Sequence, residues 1–495
     1  MAKGGDRRWH LLGLLALCLG QGAALWGRQT AILWLDGGRT LYVPWQVLAG
    51  RMPYRDLAWV YPPLSPYLEA GIYRLFGTSY GALQAWGEVV FAASVLLLYL
   101  VAAAATNRPL ALTAAAAFAV LGHARLGLVP YSFAASYGNL LALGVMAALA
   151  GHAGGRRWAL WAAGGALGLC LAAKLEFAAA AAVGTAVYLA ARREPGRAWA
   201  AVGLAAALVA AVPYGYLLGR MPAATLLEGL FPVWLASRVH HGPATVVVAL
   251  AMPLACLAAL VGAARGRGPW ADRALALGLC SFGLVLSARG VQAMPEIHLA
   301  PALVAALALA QTYRDRIARL PLLRVLVEPR AMVATLALAA LVVAMYTHLQ
   351  YRYRVYTPRL HGWFPQPYGA MLRETADYLG PVRPRWLVAM PDNPVFNFAV
   401  GIPSPLRHYE LRTAPAVAAQ EELIADLRHH PGTWVVLTNL PPSGFGSAYQ
   451  RQLWRYLQQE YVTRAAWRGG RLVATGPEPP RLEDLAVLAP RSARR

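Results

Sequence analysis

The chain has 495 residues, of which 58% are hydrophobic and only 14% charged. A soluble protein of this length would carry about a quarter charged residues, so most of this chain belongs in lipid. The formal net charge of +22 does not point to nucleic acid, because the basic residues punctuate hydrophobic runs instead of gathering into one footprint.

Lys3, Arg7 and Arg8 precede the first apolar run, 11–35. That run is too long for the core of a signal peptide and many more follow, so it reads as an uncleaved first span. The basic residues ahead of it place the N-terminus in the cytoplasm, and Asp36 then emerges on the outer side. The four cysteines, Cys18, Cys170, Cys256 and Cys280, all fall inside apolar runs and form no CxxC or Cys/His cluster. They read as small packing residues, with no disulfide framework.

The stretch from Trp34 to Gly77 spends more than forty residues between the first two apolar runs. It holds Asp36, Asp56, Arg39, Arg51, Arg55 and Arg74 among aromatics and prolines, too aromatic for a solvated linker. The pattern predicts two short amphipathic helices on the membrane face, broken at Pro53 and at Pro62-Pro63. Its landmarks are an acid at the outer end of the first span (Asp36), the segment Gly50-Arg51-Met52-Pro53-Tyr54-Arg55-Asp56, and the turn Tyr61-Pro62-Pro63. This combination resembles the first outer loop of polytopic GT-C glycosyltransferases, which take sugars from polyprenyl-phosphate donors. Relatives include protein O-mannosyltransferases and bacterial enzymes that add aminoarabinose or arabinofuranose to envelope molecules. The resemblance covers 34–77 by motif and 10–350 by layout. It implies a bacterial cytoplasmic-membrane enzyme, a polyprenyl-phosphate sugar donor and a glycan, lipid or protein acceptor.

Further candidate spans are 81–104, 110–129, 133–151, 158–173, 176–191, 198–219, 244–264, 274–288, 298–312 and 331–349; with the first run they total eleven. Several fall short of the roughly 20 residues of a straight crossing, as helices packed among neighbours can. Alternate connectors carry Arg108, Arg156-Arg157, Arg192-Arg193, Arg265 to Arg273 and Arg314 to Arg324, the enrichment of cytoplasmic loops. An odd count puts the C-terminus outside. The 158–191 run is interrupted only by Lys174 and Glu176, which predicts a turn there, because charge at a turn reaches water and charge at the bilayer centre is expensive. A similar Gly-Leu…Lys turn occurs in GT-C relatives; a plain Lys–Glu surface pair is the alternative.

Residues 220–243 carry Glu228, Arg238, His240 and His241 around an apolar 226–235 run, predicting a re-entrant or surface helix. The adjacent histidines diverge on any regular backbone and have no partner at ligand spacing, so they do not read as a metal site. The connector 288–301 places Arg289, Glu296 and His298 at the membrane surface and resembles the Arg…His segment before a late helix in bacterial relatives.

Charge and proline rise from Gln350 onward. Helices at 367–379, 415–430 and 447–460 alternate with strands at 385–390 and 433–439, and a hairpin, 461–467 with 471–475, turns at Gly469-Gly470. This predicts a small outer α/β domain over 351–476, after a membrane domain over 1–350 that includes the outer loop 36–80. Residues 477–495, rich in proline and arginine, read as a loose tail.

Transfer from a lipid-phosphate sugar needs a base for the acceptor hydroxyl, positive charge for the leaving phosphate, and an apolar groove. Asp36, at the water–membrane boundary, is the candidate base. Asp56 either orients Asp36, contacts the acceptor, or pairs with Arg51 or Arg55. Arg289 and Lys174, with Arg238 in reserve, are candidates for the donor phosphate, since a guanidinium offers a bidentate fork. Tyr54, Arg55, Tyr61, Glu296 and His298 are candidates for acceptor contact or loop positioning. No Gly-rich phosphate loop is present, which favours a lipid-carried donor over a sugar nucleotide. A divalent cation beside the first-loop acid, as some relatives use, is left open, since no second acid pair secures one. A transporter or flippase would show repeats and midplane charges, and a non-catalytic scaffold would lack the loop acid; neither pattern is found.

Overall fold

The computed structural model describes residues 5–25, 37–105, 108–123 and 134–231, then 253–292 apart from 255, 259 and 266–269, then 354–492 apart from 358–359, 361, 392, 410–416, 439–450 and 482. The helical part opens with α1 (Gly5–Leu25), α2 (Gly38–Leu48), α3 (Leu64–Phe76), α4 (Tyr80–Ala105) and α5 (Arg108–His123). It continues through α6 (Ala134–Ala153), α7 (Ala159–Ala173), α8 (Leu175–Ala191), α9 (Gly196–Leu218), α10 (Ala223–Leu230) and α11 (Trp270–Gln292). Among the described residues, α4, α6 and α9 are long and apolar enough to cross a membrane alone, and α7 and α8 are shorter apolar helices. The chain is thus a multi-pass α-helical membrane protein. The predicted spans at 298–312 and 331–349, and with them the count of eleven, lie outside the described residues.

Close helix packing is bought with glycine. A Cβ on Gly164 or Gly168 of α7 would run into backbone of α9 at Val202 and Ala206. Gly184 of α8 and Gly278 of α11 face one another so closely that a Cβ on either would come within 2.8 or 2.7 Å of the other's carbonyl oxygen. The α7–α8 break occurs at Lys174, whose extended backbone (φ −161°, ψ 112°) separates the two helices where the sequence places a turn.

The predicted loop helices form as α2 and α3. Gly50 (φ +89°) and Gly77 (φ +85°) supply left-handed conformations just beyond their ends. Their setting differs from the expectation of helices laid on open membrane. Residues of α2 are buried on nearly every side, because the C-terminal domain sits directly on it. Leu41, Ile72, Tyr73 and Tyr80 share one apolar core with Phe364, Met371, Leu387, Phe396 and Phe398.

That domain begins with the ribbon β1 (Arg354–Thr357) and β2 (Gly362–Pro365), followed by α12 (Tyr368–Val382), β3 (Trp386–Met390), α13 (Val395–Val400) and α14 (Val417–His429). Then come β4 (Thr433–Thr438), α15 (Arg451–Glu460), β5 (Tyr461–Arg468), β6 (Arg471–Glu478) and β7 (Leu485–Pro490). The sheet order is β3-β4-β7-β5-β6, with β3 and β4 parallel and the other pairs antiparallel. Strand alternation divides its faces. Leu387, Val436, Ala465 and Val487 point to the core shared with the outer loop. Val388, Val435 and Leu488 point to Leu423 and Leu427 of α14 and Leu453 and Leu457 of α15.

Two sequence readings are corrected here. The stretch read as a loose tail, 477–495, holds β7, all six residues of which are buried at the centre of the sheet. The domain therefore runs past 476 to Pro490. The segment 391–405, to which the sequence reading assigns no helix, contains α13, which follows Pro394 and ends at Gly401 (φ +77°).

Candidate active site

The loop from Ala49 to Pro63 is held in part by bonds among its own backbone and side-chain groups. The backbone N–H of Tyr54 donates to the Leu57 carbonyl at 2.8 Å, and that of Asp56 to Met52 at 2.8 Å. Oδ2 of Asp56 accepts the Met52 N–H at 2.8 Å, and its carboxylate takes both Nε and Nη2 of Arg55 at 2.8 Å. Those bonds from Arg55 hold the Asp56 carboxyl below the ordinary value of 3.8 against a smaller opposing effect of burial. Of the readings open for Asp56 in the sequence, pairing with Arg55 is the arrangement present.

Tyr54 has a left-handed backbone (φ +70°), a conformation that costs a non-glycine residue about 1–3 kcal/mol and needs surrounding structure to hold it. Its ring is 1% exposed, and its hydroxyl donates to the Tyr61 carbonyl at 2.5 Å. Burial pushes that hydroxyl well above its ordinary value of 10, so it remains a neutral donor. Gly229 of α10 presses against the Tyr54 ring, leaving no room there for a larger residue.

Tyr61 is where loop and bundle meet. The Lys174 ammonium lies 4.0 Å from the centre of its ring, and the Arg39 guanidinium lies 5.6 Å from the same centre. Both distances are within cation–π range. Lys174 also pairs with Glu176 at 3.1 Å. The helix break is what aims it: α7 ends at Ala173, the Lys174 Cβ packs on Gly138 of α6, and the side chain leaves the bundle toward the loop. A Cβ at Gly138 would come within 2.8 Å of the Lys174 Cβ.

Among the sequence candidates, the structure thus gathers Tyr54, Arg55, Asp56, Tyr61 and Lys174 around the outer loop. Arg289 lies near the end of α11. Asp36, Arg238, Glu296 and His298 lie outside the described residues, although α2 begins just after Asp36. Arg39 is missed by the sequence reading. Its spacing of three residues from Asp36 at a helix start is the signal that points to it. Glu69, wholly buried on α3, is a further acid passed over. Among the described residues, no three His, Cys, Asp or Glu side chains gather as a metal set.

No protein-family model and no curated protein matches the sequence. Solved structures do match. The chain superposes on ArnT from Cupriavidus metallidurans bound to undecaprenyl phosphate with a TM-score of 0.59 and 14% identity, over 95% of this chain and 99% of that one. The apo form of the same protein gives a TM-score of 0.57 at 16% identity, over 98% of both chains. The Archaeoglobus fulgidus oligosaccharyltransferase tethered to an acceptor peptide gives 0.53 at 12% identity, over 98% of this chain and 76% of that one. The likeness spans the helical bundle and the outer domain together: the chain has the GT-C fold.

Proposed function

We propose that the protein is a membrane glycosyltransferase that moves a sugar from a polyprenyl-phosphate donor to a hydroxyl of an extracytoplasmic glycan, lipid or protein. The observation that carries the reading is the convergence of Lys174 and Arg39 on Tyr61, where the first outer loop meets the α7–α8 break; Arg39 itself stands three residues beyond Asp36 in the sequence. Two cations held against one ring, at the edge of an apolar bundle, suit a lipid-borne phosphate. The ArnT structure of the same fold holds undecaprenyl phosphate. Asp36 takes the proton of the acceptor hydroxyl, the acceptor oxygen attacks the anomeric carbon, and the bond from that carbon to the phosphate oxygen breaks. The lipid phosphate leaves with the electron pair, its charge met by Lys174 and Arg39, with Arg289 and Arg238 as further candidates. Asp56 and Arg55 shape the loop rather than touch the reacting atoms. On this reading the enzyme works in the bacterial cytoplasmic membrane, N-terminus inside and the α/β domain outside, which the basic residues ahead of the first apolar run support.

The test is donor-lipid binding. Purified protein in nanodiscs is expected to bind undecaprenyl phosphate saturably. Lys174→Ala and Arg39→Ala should each weaken it about 10- to 100-fold, the loss of one charge-assisted contact of about 1.5–3 kcal/mol. Lys174→Arg should retain part of the affinity. Unchanged affinity in both alanine variants would place the phosphate elsewhere.

A further inference from the structure

The 403–409 segment of the outer domain does more than cover the first loop. Arg51, following α2, donates through Nη1 to the Ser404 carbonyl at 2.7 Å, and through Nη2 to the Leu406 carbonyl at 3.1 Å and the Asp56 carbonyl at 2.6 Å. One guanidinium therefore ties the domain segment to the loop. A second tie runs the other way: Arg407 donates to the Tyr54 carbonyl through Nε at 3.3 Å and Nη2 at 3.2 Å. The backbone joins in, with the Ala58 N–H donating to the Arg407 carbonyl at 2.9 Å and the Ser404 N–H to the Tyr42 hydroxyl at 2.9 Å.

These ties grip the strained residue of the loop. Tyr54 keeps its left-handed backbone with its carbonyl held by Arg407, while its hydroxyl holds the Tyr61 carbonyl. The Tyr61 ring in turn carries Lys174 and Arg39. An unbroken run of contacts thus leads from residues some 350 positions away in sequence to the cations of the proposed donor site. A guanidinium suits this task because its rigid fork fixes several carbonyls at once, which a lysine ammonium on a flexible stem does less well.

We propose that Arg51 and Arg407 are positioning residues through which docking of the 403–409 segment sets the Tyr54–Tyr61 turn and hence the affinity of the Lys174–Arg39–Tyr61 cluster for a lipid phosphate. The proposal rests on the donor reading given above. It makes the outer domain part of the donor site and not solely a wall toward the acceptor.

The experiment uses the full-length protein in nanodiscs, with undecaprenyl phosphate as the probe and amide hydrogen exchange over 50–63 as a second readout. Arg51→Ala and Arg407→Ala are expected to raise exchange across that loop and to raise the Kd at least about fivefold, the lower end of ordinary coupling between sites. Binding capacity per mole of protein should stay at the wild-type level, since misfolding would lower capacity and leave the Kd of the remainder unchanged. Arg51→Lys should recover part of the affinity. Arg468→Ala, which removes ion pairs to Glu478 and Glu483 at the exposed hairpin, should leave Kd unchanged and serves as the control for general damage to the domain. Unchanged exchange, or raised exchange with an unchanged Kd, overturns the coupling while leaving the donor reading intact. A wild-type protein that binds no undecaprenyl phosphate overturns the donor reading and the coupling with it.

Discussion

At Asp56 a single carboxylate shows how the outer loop is held and how it can be loosened. Its protonation is opposed first by the hydrogen bonds from Arg55 and helped by burial, with a net lowering below 3.8. The folded state therefore binds this proton less readily than the unfolded chain does. The stabilising contribution is complete above the unfolded value and is lost as pH falls through the lower folded value. Thermal unfolding followed from about pH 5 down to about pH 3 is expected to fall more steeply in wild type than in Asp56→Asn, which cannot titrate. Parallel curves would contradict this role. The same residue marks what the sequence can convey. An acid with arginines at neighbouring positions leaves a structural pair and a catalytic partner equally open, and only the geometry of Arg55 and the Met52 N–H separates them. Lys174 was more legible, because a charge inside an apolar run has few tolerable places, and a helix break is one of them. Arg39 hid among the other arginines of the loop: its spacing from Asp36 was a cue to its place, but no local pattern says that it is 3% exposed.

Among the helices, the glycine contacts decide how the bundle closes, and they give a sharp contrast between sites of identical chemistry. Gly184 and Gly278 bring α8 and α11 together backbone to backbone, whereas Gly165 on α7 has nothing within 4 Å of where a Cβ would sit. Gly184→Ala is expected to cost about 1–3 kcal/mol by forcing the helices apart. Gly165→Ala should be neutral or mildly stabilising through better helix propensity. Thermal unfolding of the two variants in the same detergent checks this, and equal effects would refute the packing argument. Helix boundaries were legible where an apolar run met a clear break: α4, α6, α7, α8 and α9 begin and end within about two residues of the sequence reading, the usual uncertainty of helix ends. The short α13 was not. Six residues carry too little periodicity to stand out, although Pro394 before it and Gly401 after it were available cues.

For the whole molecule, the finding with the widest consequence is that membrane bundle, outer loop and α/β domain share a core. Tyr73 stacks on Phe398 at 5.9 Å, and Trp45 meets the same ring edge-on at 5.9 Å. Sequence reading sets the α/β domain apart from the bundle and its outer loop because contacts across more than three hundred residues leave no local pattern. It likewise mistakes the final strand for a tail: the proline and arginine around it mask a six-residue apolar stretch, too short to show alternation. The strand lies between β4 and β5, so a chain ending at residue 480 loses the ladder on both. Such a chain is expected to lose the protease resistance of its outer domain, whereas one ending at residue 492 should keep it. Equal resistance would deny β7 its structural place.

In the proposed reaction Asp36 is the base for sugar transfer from a lipid phosphate. The most direct test is transfer by the purified protein from a polyprenyl-phosphate sugar to acceptor extracted from the cell envelope, with wild type and Asp36→Asn assayed side by side and donor binding followed separately. The substitution keeps size and hydrogen bonding and removes the basic oxygen. The expected result is transfer by wild type, a loss of about 10²- to 10⁴-fold in Asp36→Asn, and little change in donor affinity. A variant that keeps more than about a tenth of the wild-type rate would contradict Asp36 as the base, and a wild-type protein that binds the donor yet transfers nothing would contradict the proposed reaction itself.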